Sequence, residues 1–90
     1  MTSKKILIVD DDEALRGSLI EQLQLHEEFD CIAMPSAASG LEHVRSAHVD
    51  LVLLDVGLPD MDGREVCRLM RKDGVKVPII MLTGADTDSD

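Results

Sequence analysis

Two adjacent aspartates, Asp10 and Asp11, close one apolar run of this sequence, and a third, Asp55, closes another. Ionised carboxylates only accept hydrogen bonds. Three of them brought together without a basic partner repel one another unless a proton or a divalent cation compensates. An all-oxygen donor set favours Mg²⁺, Mn²⁺ or Ca²⁺ over zinc or copper. A carboxylate can also act as a nucleophile and form an aspartyl-phosphate, with a neighbouring metal neutralising charge on the transferred group. Asp55 is the candidate for that role. The segment after it, Asp55-Val56-Gly57-Leu58-Pro59-Asp60-Met61-Asp62-Gly63, reads as a tight, exposed loop in which the Gly57 carbonyl can turn toward a metal. Thr83-Gly84 follows a further apolar run, where the threonine hydroxyl can donate to a phosphoryl oxygen and the glycine leaves access open. A plainer alternative is that Asp10 to Glu13 only cap a helix and favour its positive end. It leaves Asp55 unexplained.

The elements that must position these residues are legible as changes of period. Lys5-Ile6-Leu7-Ile8-Val9, Val49-Asp50-Leu51-Val52-Leu53-Leu54 and Pro78-Ile79-Ile80-Met81-Leu82 are nearly continuous apolar runs, as expected of strands covered on both faces. Cys31-Ile32-Ala33-Met34 is shorter and suits an edge strand. Between the runs the period turns helical. A first helix is expected from about Glu13 to Leu25, capped by Asp12, with Leu15, Leu19, Ile20 and Leu23 on one face. A second begins after Ser36 and uses Leu41 and Val44. The third opens on Asp62-Gly63-Arg64-Glu65, an acidic version of the capping-box spacing, and buries Val66, Leu69 and Met70. Strands alternating with helices imply an α/β domain with a parallel sheet. Ligands of such sheets bind outside the carboxyl ends of the strands where the strand order reverses, which is where Asp11 and Asp55 would face each other.

Composition narrows the function classes. The 90 residues include 18 acidic and 9 basic side chains, a formal net charge of −9, and a single aromatic, Phe29. One small domain is expected. Direct binding of nucleic acid is not expected, because no basic stripe faces a phosphate backbone. No apolar run approaches the roughly 20 residues that cross a bilayer, so no membrane partner is expected and the chain reads as cytoplasmic. Cys31 and Cys67 are far apart and outside any Cys-x-x-Cys motif, so they read as reduced packing residues.

Three blocks, Ile6-Leu7-Ile8-Val9-Asp10-Asp11-Asp12, Asp50 through Gly63, and Pro78-Ile79-Ile80-Met81-Leu82-Thr83-Gly84, together resemble the receiver domain of bacterial two-component response regulators. The resemblance runs from Lys5 to about Ala85, with the blocks in the family's order and spacing. It implies a flavodoxin-like, doubly wound parallel sheet with strand order 2-1-3-4 over this stretch. It also implies that Asp55 accepts a phosphoryl group from a phosphohistidine on a sensor histidine kinase or a histidine phosphotransfer protein. Asp11, Asp55 and the Gly57 carbonyl would bind Mg²⁺, with Mn²⁺ a second cation that suits them, and Asp10 would hold a metal-bound water. Thr83 would be the switch residue. Leu58-Pro59, Met61 and Gly63 match the family's loop after the phosphoacceptor and look structural.

The family's pattern continues through a fourth helix, a fifth strand bearing a lysine and an aromatic switch residue, and a fifth helix. Residues 4–90 are therefore expected to be the N-terminal part of a receiver domain. Lys72 and Lys76 precede the fourth strand and lie too far from the acidic end to replace that lysine, since five strand residues span about 17 Å. The fourth strand is then expected to form an exposed edge, open to self-association as a homo-oligomer. A competing reading is a Mg²⁺-dependent phosphohydrolase of the haloacid dehalogenase kind, with the same aspartate nucleophile. That class is expected to carry an acidic residue two positions after the nucleophile, where this chain has Gly57. A Ca²⁺ loop at Asp60-Met61-Asp62-Gly63 lacks its remaining ligands and its distal glutamate. His26, His43 and His48 read as surface histidines, and Arg64, Arg68, Arg71 and Lys72 as a solvated face.

Overall fold

The structure is a computed structural model that describes residues 3–82. Four strands alternate with three helices: β1 Lys4–Val9, α1 Glu13–Leu23, β2 Phe29–Met34, α2 Ala37–Ser46, β3 Leu51–Asp55, α3 Gly63–Lys72 and β4 Ile79–Leu82. All strand pairs are parallel, in the order β2-β1-β3-β4. Strand order and the edge position of β2 are those expected from the sequence. The register sets Val9 beside Met34 and Leu54, and Asp55 beside Leu82. The carboxyl ends of β1 and β3 thereby finish level with each other, which is what the site requires.

Parallel pairing leaves both faces of the central strands to be covered, fully on β1 and partly on the outer face of β3, hence the unbroken apolar runs. One face presents Leu7 and Val9 of β1 and Val52 and Leu54 of β3 to Ala37 and Leu41 of α2 and to Val66 and Met70 of α3. Side chains alternate along a strand, so Ile6 and Ile8 face the other way, and they too are buried. At β4 that other face opens, with Ile80 half exposed.

Each helix is started by its own side chains. Asp12 caps α1 by accepting the Leu15 N–H at 3.1 Å. Ser36 caps α2 in a reciprocal box with Ser39. Asp62 caps α3, but the box expected with Glu65 does not form. Asp62 accepts the Arg64 N–H at 2.8 Å and pairs with the Arg64 guanidinium, while Glu65 pairs with Arg68. Arg68 draws the Glu65 carboxylate away from the cap backbone, while Asp62 serves both the Arg64 N–H and the Arg64 guanidinium. α3 ends in a Schellman motif: Gly74 at φ 94° donates to the Arg71 carbonyl, and Val75 to the Met70 carbonyl.

α1 departs from expectation. It stops at Leu23, Leu25 is solvent-exposed, and Leu15, expected on the buried face, is 40% exposed. Leu19, Ile20 and Leu23 are only half-buried. The helix packs along β2, at the edge of the sheet, outside the main core cluster. Among the described residues nothing closes over the outer side of its apolar stripe. Cys31 and Cys67 are free and half-buried, in keeping with packing roles.

Candidate metal and phosphoacceptor site

β1 delivers Asp10 and Asp11, and β3 delivers Asp55, to the same end of the sheet. One carboxylate oxygen from each lies within 4.8 Å of the others. The three residues singled out from the sequence are therefore brought together. They differ in environment: Asp10 is buried at 2% exposure, Asp55 half-buried and Asp11 exposed.

Asp10 Oδ1 accepts the Asp12 N–H at 2.9 Å, which ties the first carboxylate to the start of α1. Burial pushes the Asp10 carboxyl above its ordinary range, against the Asp12 N–H that lowers it, and the nearby charges of Asp55, Asp11 and Asp12 push it up further. The part of that push that comes from neighbouring carboxylates marks a site short of positive charge. A hard cation among oxygen donors supplies it, so the donor set and its electrostatics fit a divalent metal such as Mg²⁺.

Asp55 is the last residue of β3. Its Oδ1 accepts the Gly57 N–H at 3.1 Å, which folds the loop back over the carboxylate and leaves Oδ2 uncommitted to that bond. Gly57 is exposed and bridges to Asp62 across the loop, while Leu58 is buried in the core. Gly63 closes the loop: its N–H donates to the Val56 carbonyl at 2.8 Å. A Cβ on Gly63 would lie 2.2 Å from the Asp55 carbonyl oxygen, so only glycine lets α3 start this close to β3.

Arg16 and the bridging role of Asp60 were not expected from the sequence. Arg16 donates from Nη1 to the Asp10 carbonyl at 2.7 Å, so a guanidinium does lie beside the acidic cluster, held on the main chain. Its place four residues after the cap Asp12, one turn into α1, was the available signal. Asp60 reaches from the loop to the first turn of α2, accepting the Ala37 N–H at 3.0 Å and the Ala38 N–H at 3.1 Å. Partners 22 and 23 residues away leave no local sequence signal.

The other candidates among the described residues stay apart from the cluster. Thr83 and Gly84 lie outside the described residues. His48 pairs with Asp50 at 2.8 Å near the start of β3, at the far end of the sheet. Arg64 and Arg68 are exposed and paired, whereas Arg71 reaches the Val75 and Val77 carbonyls and braces the turn into β4. Asp60 and Asp62, of the weighed Ca²⁺ loop, are engaged with α2 and Arg64. No described helix is long and apolar enough to cross a membrane.

A four-stranded parallel sheet in this order, with acidic residues gathered beyond β1 and β3, defines a flavodoxin-like domain of the receiver type. The sequence profile of the response regulator receiver domain matches residues 6–90, and the chain belongs to that family. It is 38% identical to the alkaline phosphatase synthesis transcriptional regulatory protein PhoP of Bacillus subtilis, over 98% of this chain and 36% of that protein. It is 45% identical to the DNA-binding response regulator MtrA of Mycolicibacterium smegmatis, over 96% of this chain and 36% of the relative. The chain thus spans about a third of the length of these curated relatives.

Among solved structures, a CheY-like response regulator receiver domain protein from Methanospirillum hungatei superposes with a TM-score of 0.88 at 34% identity, covering 96% of this chain and 68% of that one. The response regulator TrrA of Thermotoga maritima, solved in complex with Mg²⁺ and BeF, gives 0.85 at 35% identity, covering 92% and 71%. Family membership leaves the phosphohydrolase reading without support.

Proposed function

We propose that this chain is the phosphoacceptor part of a two-component signalling switch, carried by residues 4–90. The observation that supports this most is the convergence of Asp10, Asp11 and Asp55 beyond the carboxyl ends of β1 and β3. In the proposed reaction Asp55 Oδ2 attacks the phosphorus of a phosphohistidine on a sensor histidine kinase or histidine phosphotransfer protein. The new O–P bond forms as the P–N bond breaks, and the imidazole nitrogen leaves with the electron pair. Asp55 Oδ1 stays with the Gly57 N–H, which orients the nucleophile.

Asp11, Asp55 and the Gly57 carbonyl are the proposed direct ligands of Mg²⁺, with Asp10 reaching it through water and Mn²⁺ able to take its place. Bound there, the cation neutralises charge on the transferred group. Asp10 holds a metal-bound water, and Thr83 supplies the hydroxyl that turns toward the phosphoryl group. The chain itself performs no turnover on a separate substrate in this reading. In this reading it acts in the cytoplasm, contacts neither nucleic acid nor membrane directly, and self-associates through β4, an edge strand of the sheet among the described residues.

Intact-mass measurement after incubation with a small phosphodonor tests the proposal. A Mg²⁺-dependent gain of one phosphoryl group, lost in Asp55→Asn, is the expected result. An equal gain in Asp55→Asn, or none in the wild-type chain, contradicts it.

A further inference from the structure

The first turn of an α-helix carries four N–H groups with no partner inside the helix. In α2 the Ser36 N–H goes to Ser39 Oγ and the Ser39 N–H to Ser36 Oγ, both local. The remaining two, on Ala37 and Ala38, go to the two carboxylate oxygens of Asp60, which sits in the loop that follows Asp55. α2 is in turn seated on β1 at the residue before Asp10. A Cβ on Gly40 would lie 2.8 Å from Val9 Cγ2, so helix and strand already touch there. The carboxylate bridge thus closes a ring: β1 carries α2, α2 holds Asp60, and Asp60 holds the loop that bears Gly57 next to β3.

We propose that Asp60 is a positioning residue for the metal site, fixing the Gly57 carbonyl relative to the Asp10 and Asp11 carboxylates through the first turn of α2. This rests on the reading of the site as a Mg²⁺-dependent phosphoacceptor. The loop has other anchors, in buried Leu58 and in the Gly63 bond to Val56. Those tie it to the core and to β3. Among the described residues, the hydrogen bonds that Asp60 accepts are what tie it to α2 on the β1 side, so their loss leaves the loop folded but free to shift against Asp10 and Asp11.

Helix capping alone would give Asp60 a merely structural role, and Ser36 separates the two. Ser36→Ala removes the local cap of the same helix turn and leaves the bridge. Asp60→Ala removes the bridge and leaves the cap. Mg²⁺ titration by calorimetry of the wild-type chain and the two variants is the test, with far-UV circular dichroism as the check on folding.

Partners that orient a metal ligand typically set affinity by about tenfold or more, so Asp60→Ala should weaken Mg²⁺ binding by about tenfold and Ser36→Ala by less than about twofold. Asp60→Asn should recover part of the loss, because its amide oxygen can still accept one of the two N–H groups. If Asp60→Ala does not fold, Asp60→Asn against Ser36→Ala carries the same comparison. Equal weakening by the loss of cap and bridge, or full Mg²⁺ affinity without the bridge, overturns the inference alone. A wild-type chain that takes up no Mg²⁺ overturns the reading of the site, and the inference with it.

Discussion

Gly63→Ala adds one methyl group at the point where α3 meets β3. Its Cβ would lie 2.2 Å from the Asp55 carbonyl oxygen, 2.7 Å from Val56 Cα and 3.0 Å from the Asp55 carbonyl carbon. All three are backbone atoms, so no side-chain rotation relieves the clash. Gly63 has no positive φ, so the demand is for space and not for conformational freedom. Relief requires α3 to back away by roughly 1 Å, which stretches the 2.8 Å bond from Gly63 N–H to the Val56 carbonyl and loosens Val66 and Met70 in the core. Overpacking of this kind costs about 1–3 kcal/mol and a strained backbone bond adds about 1 kcal/mol, which gives about 3 kcal/mol in total. For a domain of this size that lowers Tm by roughly 12–24 °C. The chain has no tryptophan or tyrosine, so far-UV circular dichroism during heating is the suitable assay. A Gly63→Ala melting point within about 4 °C of wild type, equivalent to no more than about 1 kcal/mol, would show that the contact between α3 and β3 is not tight.

The same substitution at Gly17 should act in the opposite sense. It sits mid-helix in exposed α1 with nothing within 4 Å of an added Cβ, so Gly17→Ala should raise stability by about 0.5–1 kcal/mol, read as a higher urea midpoint. Asp10→Asn removes a buried like charge while its amide oxygen can still accept the Asp12 N–H. The expected outcome is a higher urea midpoint without divalent cation and a smaller gain from Mg²⁺; a lower midpoint without cation would count against the account. Asp60 is held below the usual carboxylate range by the Ala37 N–H first and the Ala38 N–H second. Because its folded pKa is lowered, its contribution is complete above the ordinary carboxylate pKa of about 4 and disappears as pH falls through the lower folded value. Asp10, raised by burial, acts in reverse: its contribution is largest at low pH and fades as pH rises through its raised value. Urea midpoints between neutral and acidic pH should therefore fall less steeply on the acid side in Asp60→Asn than in wild type.

The order of elements and the main core were legible because they rest on local pattern. Unbroken apolar runs marked β1 and β3 as central strands, and the caps Asp12, Ser36 and Asp62 stood where the period changes. The acidic site was legible for the same reason, since Asp10, Asp11 and Asp55 sit at the ends of those runs. Other features were decided by neighbours far along the chain. Leu15 has the right spacing to be buried, but helical period does not say what lies opposite, and α1 packs only at the sheet edge. Asp62 and Glu65 have capping-box spacing, yet Arg64 and Arg68 claim their carboxylates. The two hydrogen bonds that Asp60 accepts join segments more than twenty residues apart, and no local pattern encodes them.

In the proposed switch Asp55, among several nearby carboxylates, is the phosphoacceptor. The most direct measurement is to expose the chain to a small phosphodonor with Mg²⁺, reduce any acyl phosphate with borohydride, and locate the resulting alcohol by tandem mass spectrometry. Cleavage after Arg45 and Arg64 isolates one peptide that contains Asp50, Asp55, Asp60 and Asp62. The expected result is a single modified residue, Asp55, seen only when Mg²⁺ is present. Modification at Asp60 or Asp62, or at Asp10 or Asp11 in the N-terminal peptides, with Asp55 intact, would contradict the account.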